Sequence, residues 1–294
     1  MYSAINKQKV STFFVVLGFT LFVAAFVYAI SLYFGAGSLF IVPIALGIAS
    51  ISSLVIYYNS DKIVLKLNGA RFATDEEDRQ LRLLLEGIVL ATGLPEPRLY
   101  VIDDMSMNAF ATGRNPENSV ICVTKGLMEK LDKYELEAVL AHELSHIKNY
   151  DILLSTVIAV MVGFIVVIAD MLRRLVFTRR RGSSRKGELI GYILLLIFAL
   201  LSSVFAKMIQ FFISRKREYL ADASAVEITR NKDAMISALQ KLRGDHDVLE
   251  VANKSTLQLY IVEPVKRLKI KEKSNLFSTH PSIRQRVEAI NNLY

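Results

Sequence analysis

Asp132-Lys133-Tyr134-Glu135 opens a polar stretch that carries His142-Glu143-Leu144-Ser145-His146, and it gives way at Ile152 to a run without a single charge. Asp132 and Glu135 have the spacing of a capping box, so a helix is expected from there through Asn149 and on into the apolar run. Four residues make slightly more than one turn. His142 and His146 therefore leave the same face of that helix and are placed to share one metal ion. Glu143 stands about 100° further round the helix. It is poorly placed to ligate the same ion and well placed to take a proton from an attacking water. Two neutral nitrogens on a Lewis acid, beside a carboxylate base, are what a zinc hydrolase needs. The bland alternative is a pair of exposed helix histidines.

Outward from this motif, the charges are sharply partitioned. Val10–Ser60, Ile152–Ala169 and Leu189–Ala206 contain no Asp, Glu, Lys or Arg, although the chain of 294 residues holds 36 basic and 28 acidic ones. A disordered chain lacks so many apolar residues, and a simple soluble globule lacks uncharged runs of this length. The class is a membrane protein with a substantial water-soluble part. The net charge of +8 is concentrated in Asp170–Glu188, between two apolar blocks. Such a cluster fits anionic lipid heads, and no nucleic-acid-binding signature accompanies it. The lone Cys122 excludes an intramolecular disulfide and reads as a small core residue. Lys7 and Lys9 precede an apolar stretch too long for a cleavable signal, which makes it an uncleaved anchor.

Ser11–Leu32 and Ser38–Tyr58 read as two helices joined at Gly35-Ala36-Gly37. A helix across Phe72–Thr92 starts on the capping box Thr74–Glu77 and stops at Gly93. Arg98–Asp103, Asn108–Thr112 and Ser119–Thr124 are short β-branched or aromatic runs, so a small sheet is expected. A further helix covers Ser214–Thr229, and Pro281 is placed to start the last one. The expected organisation is a transmembrane hairpin over 1–60, a first catalytic part over 61–151, a second apolar hairpin with a basic loop over 152–213, and a second catalytic part over 214–294.

Two histidines leave a metal one protein ligand short. Glu218 and Asp222, four apart on the 214–229 helix, offer a third ligand and a carboxylate able to fix a histidine tautomer. Taken alone, that pair reads as a solvated face; its value comes from the histidines. His-Glu-x-x-His followed by Glu-x-x-x-Asp resembles the gluzincin arrangement. Together with Asn108-Ala109-Phe110-Ala111-Thr112-Gly113, Asn149, Asp151, Arg217, Thr279-His280-Pro281 and Arg286, the whole layout resembles the HtpX-type membrane metalloproteases, relatives of the CAAX-prenyl proteases.

The resemblance implies a mainly α membrane protein with a small β-sheet, its catalytic domain gluzincin-like α+β. It also implies one zinc per chain on His142, His146 and Glu218, with Glu143 as general base and Asp222 behind a ligand. Asn108, Ala109, Phe110 and Ala111 would bind substrate as an added strand on the sheet edge, the alternative being an ordinary core strand. His280 has three readings: an oxyanion donor, a residue behind the metal ligands, or a helix cap. Arg286 would be an anchoring partner in the substrate-binding set. Polypeptides, in particular misfolded membrane proteins, are the implied substrates, with stress-linked quality control as the role. Alternatives are a non-catalytic membrane scaffold or chaperone, and a CAAX-type protease of prenylated peptides.

Topology is contested. The ligands flank 152–206 and must share one side, which puts the seven bases of 170–188 opposite Lys7, Lys9, Lys62, Lys66 and Arg71 if both blocks cross. Either the second hairpin does not cross fully, or the first pair sets the orientation. The expected placement is a multi-pass protein of the plasma membrane with its active site facing the cytoplasm. The sequence gives no oligomeric state.

Overall fold

The computed structural model describes residues 2–33, 41–178, 198, 215–245, 247, 249, 256, 259–262 and 281–293. The first two helices, α1 (Tyr2–Tyr33) and α2 (Ile41–Leu67), follow from the uncharged run, and α2 continues past the expected boundary at Ser60. With α6 (Asp151–Thr178) they supply three segments long and apolar enough to cross a membrane: Gln8–Tyr28, Ile41–Leu67 and Asp151–Asp170. Phe13, Leu21, Ile51 and Val167 remain exposed, as side chains facing lipid should. The hydroxyls of Thr20 and Ser53 meet at 2.8 Å where α1 crosses α2. Phe19 of α1 packs edge-on against Phe164 of α6, with ring centroids 5.5 Å apart. Of the expected basic loop, Asp170–Thr178 instead continues α6 as helix; its remainder and the apolar block Leu189–Ala206, apart from the buried Phe198, lie outside the described residues.

The expected sheet forms, with an added short strand. Its order is β1 (Arg71–Phe72), β2 (Arg98–Ile102), β4 (Ser119–Thr124), β3 (Ala109–Gly113). β2 and β4 run parallel, while β1–β2 and β3–β4 are antiparallel. Both faces are apolar and both are covered. Leu99, Val101, Ala109, Ala111, Ile121 and Val123 face the helices of the water-soluble part. Tyr100, Ile102, Phe110, Val120 and Cys122 face the cluster built on the three membrane helices. The sheet is thus the layer between the two halves, which is why its strands read as continuous apolar runs.

β3 is an edge strand. Thr124 sets its position by accepting from the Asn108 N–H at 2.9 Å and donating to the Ser106 carbonyl at 2.6 Å. Gly126, opening α4 (Lys125–Lys130), lets the 104–106 connection pass close by: a Cβ there would lie 2.0 Å from the Met105 carbonyl oxygen.

α3 (Asp75–Thr92) has its Thr74–Glu77 capping box and ends on Gly93 at φ +66°. α5 (Lys133–Lys148) has the capping box of Asp132 and Glu135. It does not run on into the apolar block. Tyr150 adopts φ +59°, and α6 restarts at Asp151. α7 (Arg215–Thr229), α8 (Lys232–Gly244) and α9 (Ile283–Asn291) complete the described helices. Ser282, not Pro281, caps α9, and its hydroxyl accepts from Gln285 N–H.

Arg71 joins β1 to the start of α3 by a two-pronged ion pair with Glu77, at 2.7 and 2.9 Å. Its guanidinium pulls the Glu77 carboxyl down to about 2; partial burial opposes this, and the Thr74 amide and hydroxyl assist. A carboxyl whose folded pKa is depressed stabilises the fold above its unfolded pKa, about 4.5 here, and loses that contribution as pH falls toward the folded value. Glu77→Gln should therefore lower the melting temperature in detergent at pH 7, by circular dichroism, with the gap to the parent narrowing below about pH 4.5. A gap independent of pH would show that the charge does not matter.

Candidate metal centre

α5 is the buried axis of the water-soluble part, packed against the sheet and against α3, α7 and α8. Its start is fixed by Glu135, itself buried, which accepts from Ser237 and Lys241 of α8 at 2.6 Å each. Ala138, Ala141 and Leu144 leave no exposed area, and this packing places the polar face. On it, His142 Nε2 lies 3.2 Å from His146 Nε2. Glu218, one turn into α7, brings Oε2 to 3.9 Å from His142 Nε2 and Oε1 to 3.6 Å from His146 Nε2. The three ligand atoms lie within 4.8 Å of one another. Bonds of about 2.0–2.1 Å from a tetrahedral ion set ligand–ligand edges of about 3.3 Å. Two imidazole nitrogens and a carboxylate at this spacing fit one divalent ion of the zinc type.

Each histidine is held from behind by a carboxylate. Asp222 Oδ1 lies 2.9 Å from His142 Nδ1, and Asp151 Oδ2 lies 3.1 Å from His146 Nδ1. With Nδ1 so engaged, Nε2 of both rings is the free donor atom. Burial opposes a charge on His146, but the bond to Asp151 and the nearby Glu218 outweigh it and raise the ring to about 9. An arriving metal ion must displace that proton. Asp151 belongs to this cluster, a placement that the spacing alone did not assign. It also accepts from Gln8 Nε2 of α1 at 2.6 Å and from Arg217 of α7 at 3.3 Å.

Arg286 is drawn into the core behind the site. It is 1% exposed and donates through Nε and a terminal nitrogen to both Asp222 oxygens, at 2.8 and 2.6 Å. Its other terminal nitrogen donates to the Ile261 carbonyl at 2.9 Å and lies 3.7 Å from Glu218. Its guanidinium thus sits against the carboxylates behind and within the candidate metal site. Burial works against the charged Asp222, yet this guanidinium holds its carboxyl below the usual range.

Glu143 is buried, and burial pushes its carboxyl up to about 7; Glu218 adds to the rise, while His146 and the Ala111 backbone N–H pull the other way. A carboxyl poised near neutrality suits a general base. The Ala111 amide lies near the Glu143 carboxyl, which places Glu143 beside the edge strand. That edge is partly covered by the chain itself: Ile261 N–H donates to the Ala109 carbonyl at 2.9 Å. Asn108 holds the same segment, its Nδ2 donating to the Val262 carbonyl at 2.8 Å, while its Oδ1 accepts from Ala109 N–H at 3.0 Å. The Phe110 side chain points to the membrane-side cluster and packs edge-on against Tyr260. No sequence signal marked 259–262 as a partner of β3. His280 lies outside the described residues.

The fold and this centre define a membrane metalloprotease, a hydrolase of peptide bonds. The sequence profile of Peptidase family M48 matches residues 75–294. A protease HtpX homolog from Dictyoglomus thermophilum is 42% identical over 289 residues, 98% of this chain and 93% of that one. Another, from Listeria monocytogenes, is 40% identical over 302 residues, 99% and 98% of the two chains. The chain belongs to peptidase family M48. Among solved structures, S. mikatae Ste24p aligns with a TM-score of 0.49 at 19% identity, covering 82% of this chain and 56% of that one. That likeness is too distant to bear on site or substrate.

The buried Arg286–Asp222 pair yields a stability prediction. Arg286→Met or Asp222→Asn alone leaves a buried charge without its partner and should cost about 3–5 kcal/mol. The double variant should cost clearly less than the sum of the two. Additive losses in chemical denaturation would show that the two side chains do not act as a unit.

Proposed function

We propose that this chain is a zinc-dependent endopeptidase that degrades misfolded membrane proteins from an active site facing the cytoplasm. The observation that carries the reading is the convergence of His142, His146 and Glu218 beside Glu143, next to the edge strand of the sheet. In this reading His142, His146 and Glu218 hold the ion. Zinc, when bound there, supplies a Lewis acid that polarises the scissile carbonyl. Glu143 takes the proton of the attacking water and returns it to the leaving amine. Asp222 and Asp151 orient the ligand imidazoles, and Arg286 positions Asp222. The substrate backbone aligns along β3 at Ala109–Ala111, with Asn108 setting the start of the strand. His280 completes the set as a catalytic donor. The catalytic unit is built from 61–151 and 214–294, with the hairpins 1–60 and 152–213 in the bilayer of the plasma membrane.

The decisive experiment is cleavage of an unfolded reporter by the zinc-loaded, detergent-purified chain beside Glu143→Gln. The variant should keep one zinc and lose activity by about 10²–10⁴-fold. Equal cleavage by both would remove Glu143 from the mechanism.

The orientation rests on Lys7, Lys9, Lys62, Lys66 and Arg71, which flank the α1–α2 pair on its catalytic side. Cys122 is fully buried, so an introduced cysteine reports alone. With an impermeant thiol reagent, Glu129→Cys should label only after lysis, and Ser183→Cys should label in intact cells. Labelling of Glu129→Cys in intact cells would place the active site outside. Protection of Ser183→Cys until lysis would mean that the second hairpin does not cross fully.

A further inference from the structure

Away from the metal centre, the membrane helices enclose a groove of about 820 Å³ between α1, α2 and the start of α6. It runs along α1 from Lys9 to Thr20. At 1.5 Å per residue that is about 16 Å, close to one leaflet of a hydrocarbon core about 30 Å thick. The wall is apolar: Phe13, Val16, Leu17 and Leu54 line it. Its threonines offer little to a peptide backbone, because Thr12 and Thr20 already donate to the carbonyls of Gln8 and Val16. The groove is open to the lipid side, where Phe13 and Leu54 are more than half exposed.

The mouth is different in kind. Lys9 and Arg114 line it together with three tyrosines. Lys9 Nζ sits 4.8 Å over the Tyr150 ring, and the Arg114 guanidinium 5.3 Å over Tyr58. Arg114 also donates to the Tyr58 carbonyl at 3.3 Å. Among the described residues neither cation forms an ion pair with a carboxylate. Tyrosines with paired cations at the end of a membrane helix mark the headgroup level. An apolar slot one leaflet deep, closed at headgroup level by two cations, has the charge and shape of one kind of occupant.

We propose that this groove binds one anionic phospholipid of the leaflet on the catalytic side, its acyl chain between α1 and α2 and its phosphate between Lys9 and Arg114. The site is separate from the metal centre but shares its supports. Tyr150 immediately precedes α6 in the short link from α5, and Arg114 follows the last residue of β3.

Native mass spectrometry of the delipidated full chain in detergent tests this, with added dioleoylphosphatidylglycerol or dioleoylphosphatidylcholine. One phosphatidylglycerol should be retained, at least tenfold more tightly than phosphatidylcholine. Lys9→Gln with Arg114→Gln should weaken it by about tenfold to thirtyfold. Ser50→Trp, which fills the slot from an exposed position on its wall, should weaken both lipids with the cations untouched. Lys62→Gln with Lys66→Gln removes the same charge from the same side outside the groove, and should change nothing. Circular dichroism checks that each variant is folded. Equal retention of the two lipids, or an equal loss in the Lys62/Lys66 control, would overturn the proposal in favour of general surface attraction. Equally tight binding of glycerophosphoglycerol, which has no chain, would overturn it in favour of an anion site.

Discussion

Asp151 is the side chain on which three helices meet. Its carboxylate accepts from Gln8 of α1, from Arg217 of α7 and from the ring of His146 on α5, while its backbone begins α6. It is 5% exposed, so each of those bonds replaces water that the carboxylate has given up. The bond to His146 is possible because α5 ends at Lys148, before it reaches Asp151. Were the helix continuous, a residue five positions on would stand about 140° away from the His146 face. The left-handed turn at Tyr150 swings Asp151 back beneath the ring. One backbone conformation thus joins an imidazole of the candidate metal centre to the first membrane helix.

The second constraint is the sheet. With one face packed on α5 and the other on the membrane helices, β2, β3 and β4 have no side free to shift. A one-residue slip would exchange the two apolar sets, and their sizes differ: Ala109 and Ala111 face the site, Phe110 the bilayer side. The small residues let α5 approach closely, while the phenylalanine fills the wider space below. This sets the height of β3 against Glu143.

Much of this was legible because its signals are local. The capping boxes at Thr74 and Asp132, the helix stop at Gly93 and the turn spacing of His142 and His146 need no tertiary information. Strands β2 and β4 fall where branched and aromatic residues cluster. The signals that failed are those a packed context overrides. The break at Tyr150 carries neither Gly nor Pro, so periodicity ran straight through it. Arg286 sits in a polar terminal segment, and nothing local says that its guanidinium is drawn into the core by Asp222. The pairing of Ile261 with Ala109 joins residues with 151 positions between them, in a segment without strand periodicity.

That pairing gives the edge of β3 a prior tenant. The Ala109 carbonyl already accepts from Ile261, and its N–H is engaged by the Asn108 side chain. A polypeptide that aligns along this edge gains the carbonyl only by evicting Ile261, exchanging one backbone hydrogen bond for another of nearly equal worth. The exchange is close to neutral, so affinity must come from the length of chain that pairs along the edge. A folded protein, with its backbone already paired, has little to offer in that contest. An unravelled one offers a long run of amides paired only with water, and on the proposed alignment the competition itself would sort the two.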